Sequence, residues 1–192
     1  MEKKDIINFF DNLAEDWDAC QISKENVIEE ILDNGEVEPN KEILDIACGT
    51  GVLFPFYIRK KVKNVTGIDI SPEMVKIAKQ KFPETEIICG DAEEYLFDKK
   101  FDVIMIYNAF PHFPNPQKLV ANLTGYLKEN GRFSIAHSMS RAQLQKHHSG
   151  SASKISRELP IAEDLAEFLK PYLNIDIIIS DDEMYQVSGI KK

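Results

Sequence analysis

Short apolar runs alternate with longer amphipathic segments along this chain, a pattern typical of strands joined by helical crossovers into a parallel sheet. Seven short runs predict strands. They are Glu42–Ile46, Asn64–Asp69, Thr85–Cys89, Phe101–Tyr107, Gly131–His137, Asn174–Ser180 and Met184–Ile190. Only the acidic residues 181–183 separate the last two runs, and a turn that short permits only an antiparallel hairpin. We therefore expect an α/β fold with a seven-stranded, mostly parallel sheet, its last strand antiparallel and helices on both faces.

The amphipathic segments carry helix signals. Ser71 is a capping residue ahead of Pro72 and Glu73, which are both favoured in a first helical turn. Apolar residues between 116 and 129 fall on one helical face, and the same spacing recurs from Ile161. The residues before the first strand predict two further helices, which we expect to form an N-terminal helical cover.

Acidic residues outnumber basic ones by 32 to 23, which gives a formal net charge of -9. Proteins that bind nucleic-acid backbones or anionic membrane surfaces usually carry the opposite balance. The charge therefore disfavours nucleic acid and membranes as partners, although it does not bear on the fold. The 192 residues have ordinary globular composition, which favours a single domain with one sizeable core.

Three widely spaced cysteines, Cys20, Cys48 and Cys89, form no CxxC pair, so the sequence indicates neither a zinc site nor a disulfide framework. Reduced thiols fit a cytoplasmic protein. Charged residues occur every few positions in the N-terminal segment, whereas a signal peptide contains an uninterrupted apolar region. The longest strongly apolar run, Val103–Tyr107, is far shorter than the roughly 20 residues that span a bilayer. We therefore expect a soluble, cytoplasmic protein.

The most informative segment for function is Ile43–Leu53, ILDIACGTGVL. It joins an apolar strand to a helix through a turn of small residues. At the carboxyl end of the first strand of an open α/β sheet, such a turn forms a crevice where a ligand approaches the backbone closely. Glycines suit this turn because a side chain would block the approach or forbid the required dihedral angles.

Carboxylates follow at the ends of the next two strands. Asp69 ends the second strand, placed to accept hydrogen bonds from two ribose hydroxyls, and Asp91 follows the third. Simpler interpretations remain open, because Asp45 would also cap its turn and a Gly-Asp pair occurs in ordinary turns. A nicotinamide-dependent oxidoreductase is an alternative on a similar sheet, but it would carry GxGxxG in place of Ala47-x-Gly49-x-Gly51.

Four motifs occur in order at these strand ends. They are Asp45-Ile-Ala-Cys-Gly-Thr-Gly, Gly67-Ile-Asp-Ile-Ser-Pro-Glu-Met74, Gly90-Asp-Ala92 and Phe101-Asp-Val-Ile. Together they resemble the class I S-adenosylmethionine-dependent methyltransferases, above all the small-molecule, type 11-like branch that includes quinone-biosynthesis C-methyltransferases. The resemblance implies a Rossmann-like fold and a single methyltransferase domain over residues 1–192. Residues 1–40 would form the helical cover, 41–137 the cofactor-binding core, and 138–192 the acceptor-side lid, helix and closing hairpin.

The resemblance also implies S-adenosyl-L-methionine as cofactor and a role for each matching position. Asp45 and the backbone of 47–51 would hold its methionine part, Asp69 its ribose, and Asp91 its adenine amino group, while Trp17 with Phe10 would close over it. The full cofactor-binding set is Asp45, Ala47, Cys48, Gly49, Gly51, Asp69, Ile70, Met74, Asp91, Ala92, Tyr107, Asn108 and Trp17. Ala47 departs from the glycine usual in the family. Trp17 and Met74 are equally compatible with core packing.

The four histidines, His112, His137, His147 and His148, all follow the fourth strand. His112 and His137 lie at the carboxyl rim of the sheet, so both are candidate bases that would take a proton from a weak acceptor. Histidines at such places are also often purely structural. Neither HxH nor HExxH spacing occurs, and neighbouring histidines point apart on a helix, so no metal site is predicted.

Elements that this sequence lacks narrow the methyl acceptor. Strand four is followed by Asn108-Ala-Phe-Pro, and not by the Asn-Pro-Pro-aromatic element of methyltransferases that act on nucleic-acid bases. The metal ligands of catechol-type enzymes and the cysteine trio of arsenite methyltransferases have no match either. We therefore expect a small-molecule acceptor such as a phenol, quinol, thiol or carboxylate. A non-catalytic, cofactor-binding regulatory protein is the main alternative, and residues 140–153 are either a lid or a plain surface connection.

Overall fold

All seven predicted strands are present in the computed structural model, which describes residues 1–20, 24–148 and 151–192. They are β1 (Glu42–Ile46), β2 (Asn64–Asp69), β3 (Glu86–Cys89), β4 (Phe101–Tyr107), β5 (Leu127–His137), β6 (Leu173–Ser180) and β7 (Tyr185–Lys191). They form one sheet in the order β3-β2-β1-β4-β5-β7-β6. β7 is antiparallel to both of its neighbours, and the other pairs are parallel. The predicted fold class is confirmed.

Helices cover both faces of this sheet. They are α1 (Lys3–Leu13), α2 (Trp17–Cys20), α3 (Glu25–Asn34), α4 (Phe54–Arg59), α5 (Pro72–Lys81), α6 (Pro116–Gly125), α7 (Arg141–His148) and α8 (Ala162–Leu169), with short 3-10 turns at Ala14–Asp16, Phe110–His112 and Ser151–Ile155. The predicted cap of α5 is confirmed, since the Ser71 hydroxyl accepts a hydrogen bond from the Met74 backbone N–H at 3.2 Å. Every helix in the described part of the chain is too short or too polar to span a bilayer.

The side chains of β4 show how the sheet is buried on both faces. Val103 and Met105 join one apolar cluster with α3, α4 and α5, while Ile104 and Ile106 join a second cluster with α6 and α8. All four side chains are fully buried. Successive residues of a strand point to opposite faces, so a strand covered on both sides is apolar at nearly every position. This is why β4 is the longest apolar run in the sequence.

The parallel register brings the ends of four strands to one edge of the sheet. Ile46 at the end of β1 pairs with Ile68 of β2 and with Ile106 of β4. Asp69 at the end of β2 pairs with Cys89 of β3. The loops that follow β1 to β4 therefore lie side by side, at the edge where open α/β sheets bind ligands.

Two sequence predictions of helical structure are wrong in detail. The helix expected over residues 116–129 ends at Gly125, and Leu127 already pairs with Phe101 as the first residue of β5. The Phe101 N–H donates to the Tyr126 carbonyl at 2.8 Å, which fixes the chain in the sheet at this point. Ile161 was expected on a buried face, but it is 45% exposed because it precedes α8 as the N-cap residue.

Candidate functional site

A mainly apolar cavity lies at the carboxyl edge of the sheet, beneath α1 and between the loops that follow β1 to β4. It brings together most of the residues singled out from the sequence. These are Trp17, Asp45, Ala47, Cys48, Gly49, Asp69, Ile70, Met74, Asp91, Ala92, Tyr107, Asn108 and His112. Gly51 lines a neighbouring cavity, and His137 is in neither lining.

The loop after β1 follows a left-handed backbone at three alternate residues. The φ angles of Ala47, Gly49 and Gly51 are 54°, 55° and 85°. Glycine adopts this conformation without strain, whereas an alanine does so at a cost. At Gly51 the reason for glycine is packing, because a Cβ there would lie 2.8 Å from the rings of Phe54 and Phe82. A Cβ added to Gly49 would lie 3.7 Å from the Trp17 indole nitrogen, so this residue faces the N-terminal segment.

Asp69 is held by the backbone on both of its carboxylate oxygens. Gly49 N–H donates to Oδ2 at 2.9 Å and Ser71 N–H donates to Oδ1 at 2.8 Å. Burial raises the pKa of this carboxyl to about 6, and these two N–H groups hold the pKa below the value that burial alone would give. Asp69 therefore bridges the loop after β1 and the start of α5, while its remaining lone pairs face the cavity it lines.

Asp45 is buried beside the Tyr57 hydroxyl, and one of its oxygens makes no hydrogen bond of ordinary geometry. Its side chain is 2% exposed, and Oδ2 has no hydrogen-bond partner within the described residues. Burial raises the pKa of Asp45 to about 8; the nearby Tyr57 hydroxyl lowers the pKa and the charge of Asp69 raises it further. A buried carboxylate oxygen without a donor at the wall of a cavity is suited to a ligand that brings a positive charge or N–H groups.

Asp91 belongs to an ion cluster with Lys3 and Glu93, two residues that the sequence analysis did not single out. Its Oδ1 accepts from the Glu93 N–H at 3.0 Å, and its Oδ2 pairs with the Lys3 ammonium. Lys3 also pairs at 2.9 Å with Glu93, whose other oxygen accepts from the Asn115 N–H at 2.7 Å. Burial opposes the charge on Lys3, but the two carboxylates raise its pKa well above the usual range. Both Lys3 and Glu93 line the cavity.

Tyr107 and Asn108 turn toward the end of β5. The Tyr107 hydroxyl donates to the Ser138 hydroxyl oxygen at 2.7 Å, and the Ser138 N–H donates to the Asn108 side-chain oxygen at 3.0 Å. Asn108 has a left-handed φ of 53°, which asparagine adopts more readily than most residues. These bonds fix the start of the loop that carries His112.

His112 lies on the 3-10 turn after β4, with its ring at the cavity. Its Nδ1 is 3.0 Å from the Ile155 carbonyl oxygen and 3.2 Å from the Ser156 hydroxyl. Because a carbonyl only accepts, the contact with Ile155 requires a proton on Nδ1, whereas the Ser156 hydroxyl pairs with Nδ1 in either tautomer.

His137 is placed differently from His112. It ends β5, is 1% exposed, and its ring packs edge-on against Tyr185 with centroids 6.0 Å apart. The structure therefore does not bring His137 to the cavity that holds the other predicted residues. Its assignment as a catalytic base stays a sequence prediction.

The N-terminal segment lies over the cavity and is tied to the loops beneath it. Phe10 packs edge-on against both Trp17 and His112, with ring centroids 5.6 and 5.1 Å apart. The Ser71 hydroxyl donates to Asp11 at 2.5 Å, and the Thr50 hydroxyl donates to Asp18 at 2.6 Å. Phe10 and Trp17 thus lie together at the wall of the cavity, in a segment held by polar contacts that the sequence pattern did not indicate, and their closing over a cofactor stays a prediction.

The segment after β5 contacts both α1 and His112. The 3-10 turn that ends at Ile155 contacts α1 and carries the carbonyl that orients His112. The side chains of His147 and His148, and residues 149–150 of the predicted lid, lie outside the described residues. Within the described part of the chain, no three potential ligand side chains are grouped to hold a metal ion.

Comparison with known proteins agrees with this geometry. Residues 44–135 match the family described as "Methyltransferase domain". The chain is 33% identical over 144 residues to the demethylmenaquinone methyltransferase of Thermotoga maritima, a match that covers 69% of this chain and 61% of that protein. It is 26% identical to the ubiquinone biosynthesis O-methyltransferase of Coxiella burnetii, over 89% of this chain and 77% of that protein.

The fold also matches solved structures over its whole length. The magnesium protoporphyrin IX methyltransferase of Synechocystis, solved with bound S-adenosylhomocysteine (SAH), superposes with a TM-score of 0.73 at 16% identity and covers 99% of each chain. The chain spans less than two thirds of the length of the Thermotoga relative. Residues 44–135 thus match a methyltransferase domain, the named relatives extend this similarity over most of the chain, and the fold is that of the solved methyltransferases.

Proposed function

We propose that this chain transfers the methyl group of S-adenosylmethionine to a small-molecule acceptor. The observation that carries the proposal is a single cavity that combines three carboxylates with a histidine. Asp45, Asp69 and Asp91 line one part of it, and His112 lines another. The three carboxylates suit a cationic cofactor, and the histidine suits proton removal from an acceptor.

The residues present fit the cofactor. The cofactor carries a positive sulfonium and an ammonium, and Asp45 has a buried carboxylate oxygen without a donor. Asp69 retains lone pairs for ribose hydroxyls, and Ile70 and Met74 give the apolar surface expected for an adenine ring. When bound, S-adenosylmethionine would supply an electrophilic methyl carbon, to which the acceptor bonds in line as the carbon–sulfur bond breaks and S-adenosylhomocysteine leaves.

The role we propose for His112 rests on the tautomer that donates to Ile155. With Nδ1 held by the Ile155 carbonyl at 3.0 Å, Nε2 accepts the proton that a hydroxyl or thiol acceptor loses as its bond to the methyl carbon forms. The ring packs against Phe10, so the base is held at the covered part of the cavity. Positioning and partial exclusion of water are the remaining contributions required of the chain.

A small acceptor is supported by the shape and lining of the site. The N-terminal segment covers the cavity, and Phe10, Trp17 and Phe113 add aromatic surface beside His112. Aromatic side chains bind flat apolar molecules well, whereas a polymer would need an open groove. The names of the two relatives, which refer to quinones, point to the same class of acceptor.

Calorimetry with S-adenosylmethionine and with SAH tests the cofactor half of the proposal. We expect micromolar affinity for wild-type protein and loss of most of that affinity in Asp69→Ala. Asp33→Ala is the matched control, because Asp33 is an exposed aspartate on α3. Since Asp69 also holds two backbone N–H groups, circular dichroism must show that the variant is folded. Folded wild-type protein that binds neither ligand would refute the proposal.

A panel of phenols, quinols, thiols and carboxylates, assayed for SAH production, tests the catalytic half. His112→Ala is expected to lower turnover by a factor of about 100 or more while cofactor affinity stays nearly unchanged. Normal cofactor binding without turnover on any acceptor would instead favour the non-catalytic regulatory protein.

A further inference from the structure

The two edges of the sheet differ in how well they are protected. β3 forms one edge over four residues, and its Glu86 pairs at 2.9 Å with Lys99. β6 forms the other edge over eight residues, and no further strand pairs with it in the described part of the chain. An edge strand presents a row of backbone N–H and C=O groups to any strand that approaches it. The length of β6 makes it the better surface for such pairing.

The side chains of β6 lack the charges that usually keep edge strands apart. Its sequence is LNIDIIIS, and Ile178 is 48% exposed. The one charged residue, Asp176, is 43% exposed but already paired, since it accepts from Arg132 at 2.8 Å on each oxygen. Lysines or unpaired carboxylates on an edge would oppose pairing, and β6 offers neither.

The two ends of β6 carry opposite charge. The turn that follows it, residues 181–183, is exposed and entirely acidic. At its beginning lie the exposed Lys170, at the end of α8, and Lys192, whose N–H donates to the Tyr172 carbonyl at 3.2 Å. Lys191 pairs with Leu173 in the same place. Lys170 also pairs with Glu167 on α8, so the positive excess at the beginning of the strand rests mainly on Lys191 and Lys192, whereas its end is acidic.

We propose that β6 pairs with β6 of a second copy of this chain, in antiparallel orientation. Two identical strands related by a two-fold axis are necessarily antiparallel, so the acidic turn of one copy meets the basic end of the other. A register centred on Ile178 sets Ile178 against its own copy and residue 182 opposite residue 174. The interface then combines backbone pairing, isoleucine burial and two symmetric charge contacts.

This surface is separate from the cavity. The cavity lies at the ends of β1 to β4, whereas β6 is separated from β4 by β5 and β7. The proposal does not depend on the methyltransferase function. Cofactor affinity therefore serves as a check that edge variants are correctly folded.

Light scattering after size exclusion, over a range of protein concentrations, tests the pairing. Wild-type protein is expected to approach twice its mass of 21.9 kDa as concentration rises. Ile178→Lys sets two like charges on the two-fold axis and is expected to remain monomeric. Ile58→Lys is the matched control, because Ile58 is 62% exposed on α4, and it should dimerise like wild type. Wild-type protein that stays at 21.9 kDa, or an Ile178→Lys variant that still dimerises, would overturn the proposal.

Charge reversal tests the orientation. Asp182→Lys with Glu183→Lys, or Lys170→Glu with Lys192→Glu, should each weaken the dimer by about tenfold, because exposed charge contacts contribute only modestly. All four reversals in one chain should restore the dimer, because the opposite charges meet again. A dimer that responds to neither pair of reversals would show that another surface mediates it.

Discussion

The buried Asp45 carboxyl makes the stability of the ligand-free protein depend on pH. Its pKa is about 8 in the folded protein and near 4 in an unfolded chain, so the folded state keeps a proton that the unfolded state releases. The stabilisation is complete below about pH 4 and is lost as pH rises to about 8. Urea unfolding across this range should show falling stability for wild type and a flatter profile for Asp45→Asn. Equal slopes for the two proteins would contradict the assignment.

The same carboxyl should make cofactor binding release a proton. A cationic ligand favours ionised Asp45, which is largely protonated below pH 8 when the cavity holds no ligand. Affinity for S-adenosylmethionine should therefore increase as pH rises through about 8 and level off only well above it. Calorimetry in two buffers of different ionisation enthalpy would detect the released proton. Asp45→Asn should bind more weakly and without this pH dependence.

Ala47 is strained in a way that can be relieved. Its φ of 54° costs an alanine about 1 kcal/mol or more, whereas a glycine there adds a somewhat smaller entropy to the unfolded chain. Ala47→Gly is expected to raise the free energy of unfolding by up to about 1 kcal/mol and to leave cofactor affinity intact. Gly51→Ala is the contrasting variant, because its Cβ would clash with two aromatic rings. Thermal unfolding of both proteins checks the pair.

At the level of elements, the sequence was most informative where strands end in motifs. Asp45, Asp69 and Asp91 were predicted because each follows an apolar run at a fixed place in the fold. Lys3 could not be predicted in this way, since its contact with Asp91 joins residues 88 positions apart and no local pattern marks it. The end of α6 was also missed, because Leu127 satisfies helical spacing and strand pairing alike.

The N-terminal cover should loosen when its ion cluster is broken. Lys3→Met removes the cation from Asp91 and from Glu93, whose side chain is 2% exposed. We expect the free energy of unfolding to fall by about 1 kcal/mol, a moderate loss because Lys3 itself is 33% exposed. Amide exchange in α1 and dissociation of the cofactor should both become faster. Lys4→Met, at an exposed neighbouring position on α1, should change neither rate. Unchanged exchange in Lys3→Met would show that the aromatic rings and the contacts of Asp11 and Asp18 hold the cover without the ion cluster.

Across the whole molecule, the pattern of strands predicted the architecture but not the order of the last two. A short acidic turn dictates that β6 and β7 are antiparallel, and either of them would satisfy that rule beside β5. The structure sets β7 in the inner place, where Gln186 and Ser188 are fully buried and bonded to Ser134 and to the Phe133 carbonyl. Hydrogen bonds of these buried side chains stabilise this strand order. Because the bonds join residues that are far apart in sequence, no local pattern predicts it.

A substitution at the end of the sheet opposite the cavity should therefore lower the free energy of unfolding and leave cofactor affinity unchanged. Arg132 pairs in register with Val103, near the start of β4, and its 5% exposed side chain joins Asp176 to Glu36. Arg132→Met is expected to cost about 2 kcal/mol, less than a fully buried pair because both carboxylates remain over 40% exposed. Arg59→Met, which removes an exposed guanidinium, should cost under about 0.5 kcal/mol. Urea unfolding measures both losses, and calorimetry should find cofactor affinity within about twofold of wild type. A large loss of affinity in Arg132→Met would mean that the cavity depends on the far end of the sheet.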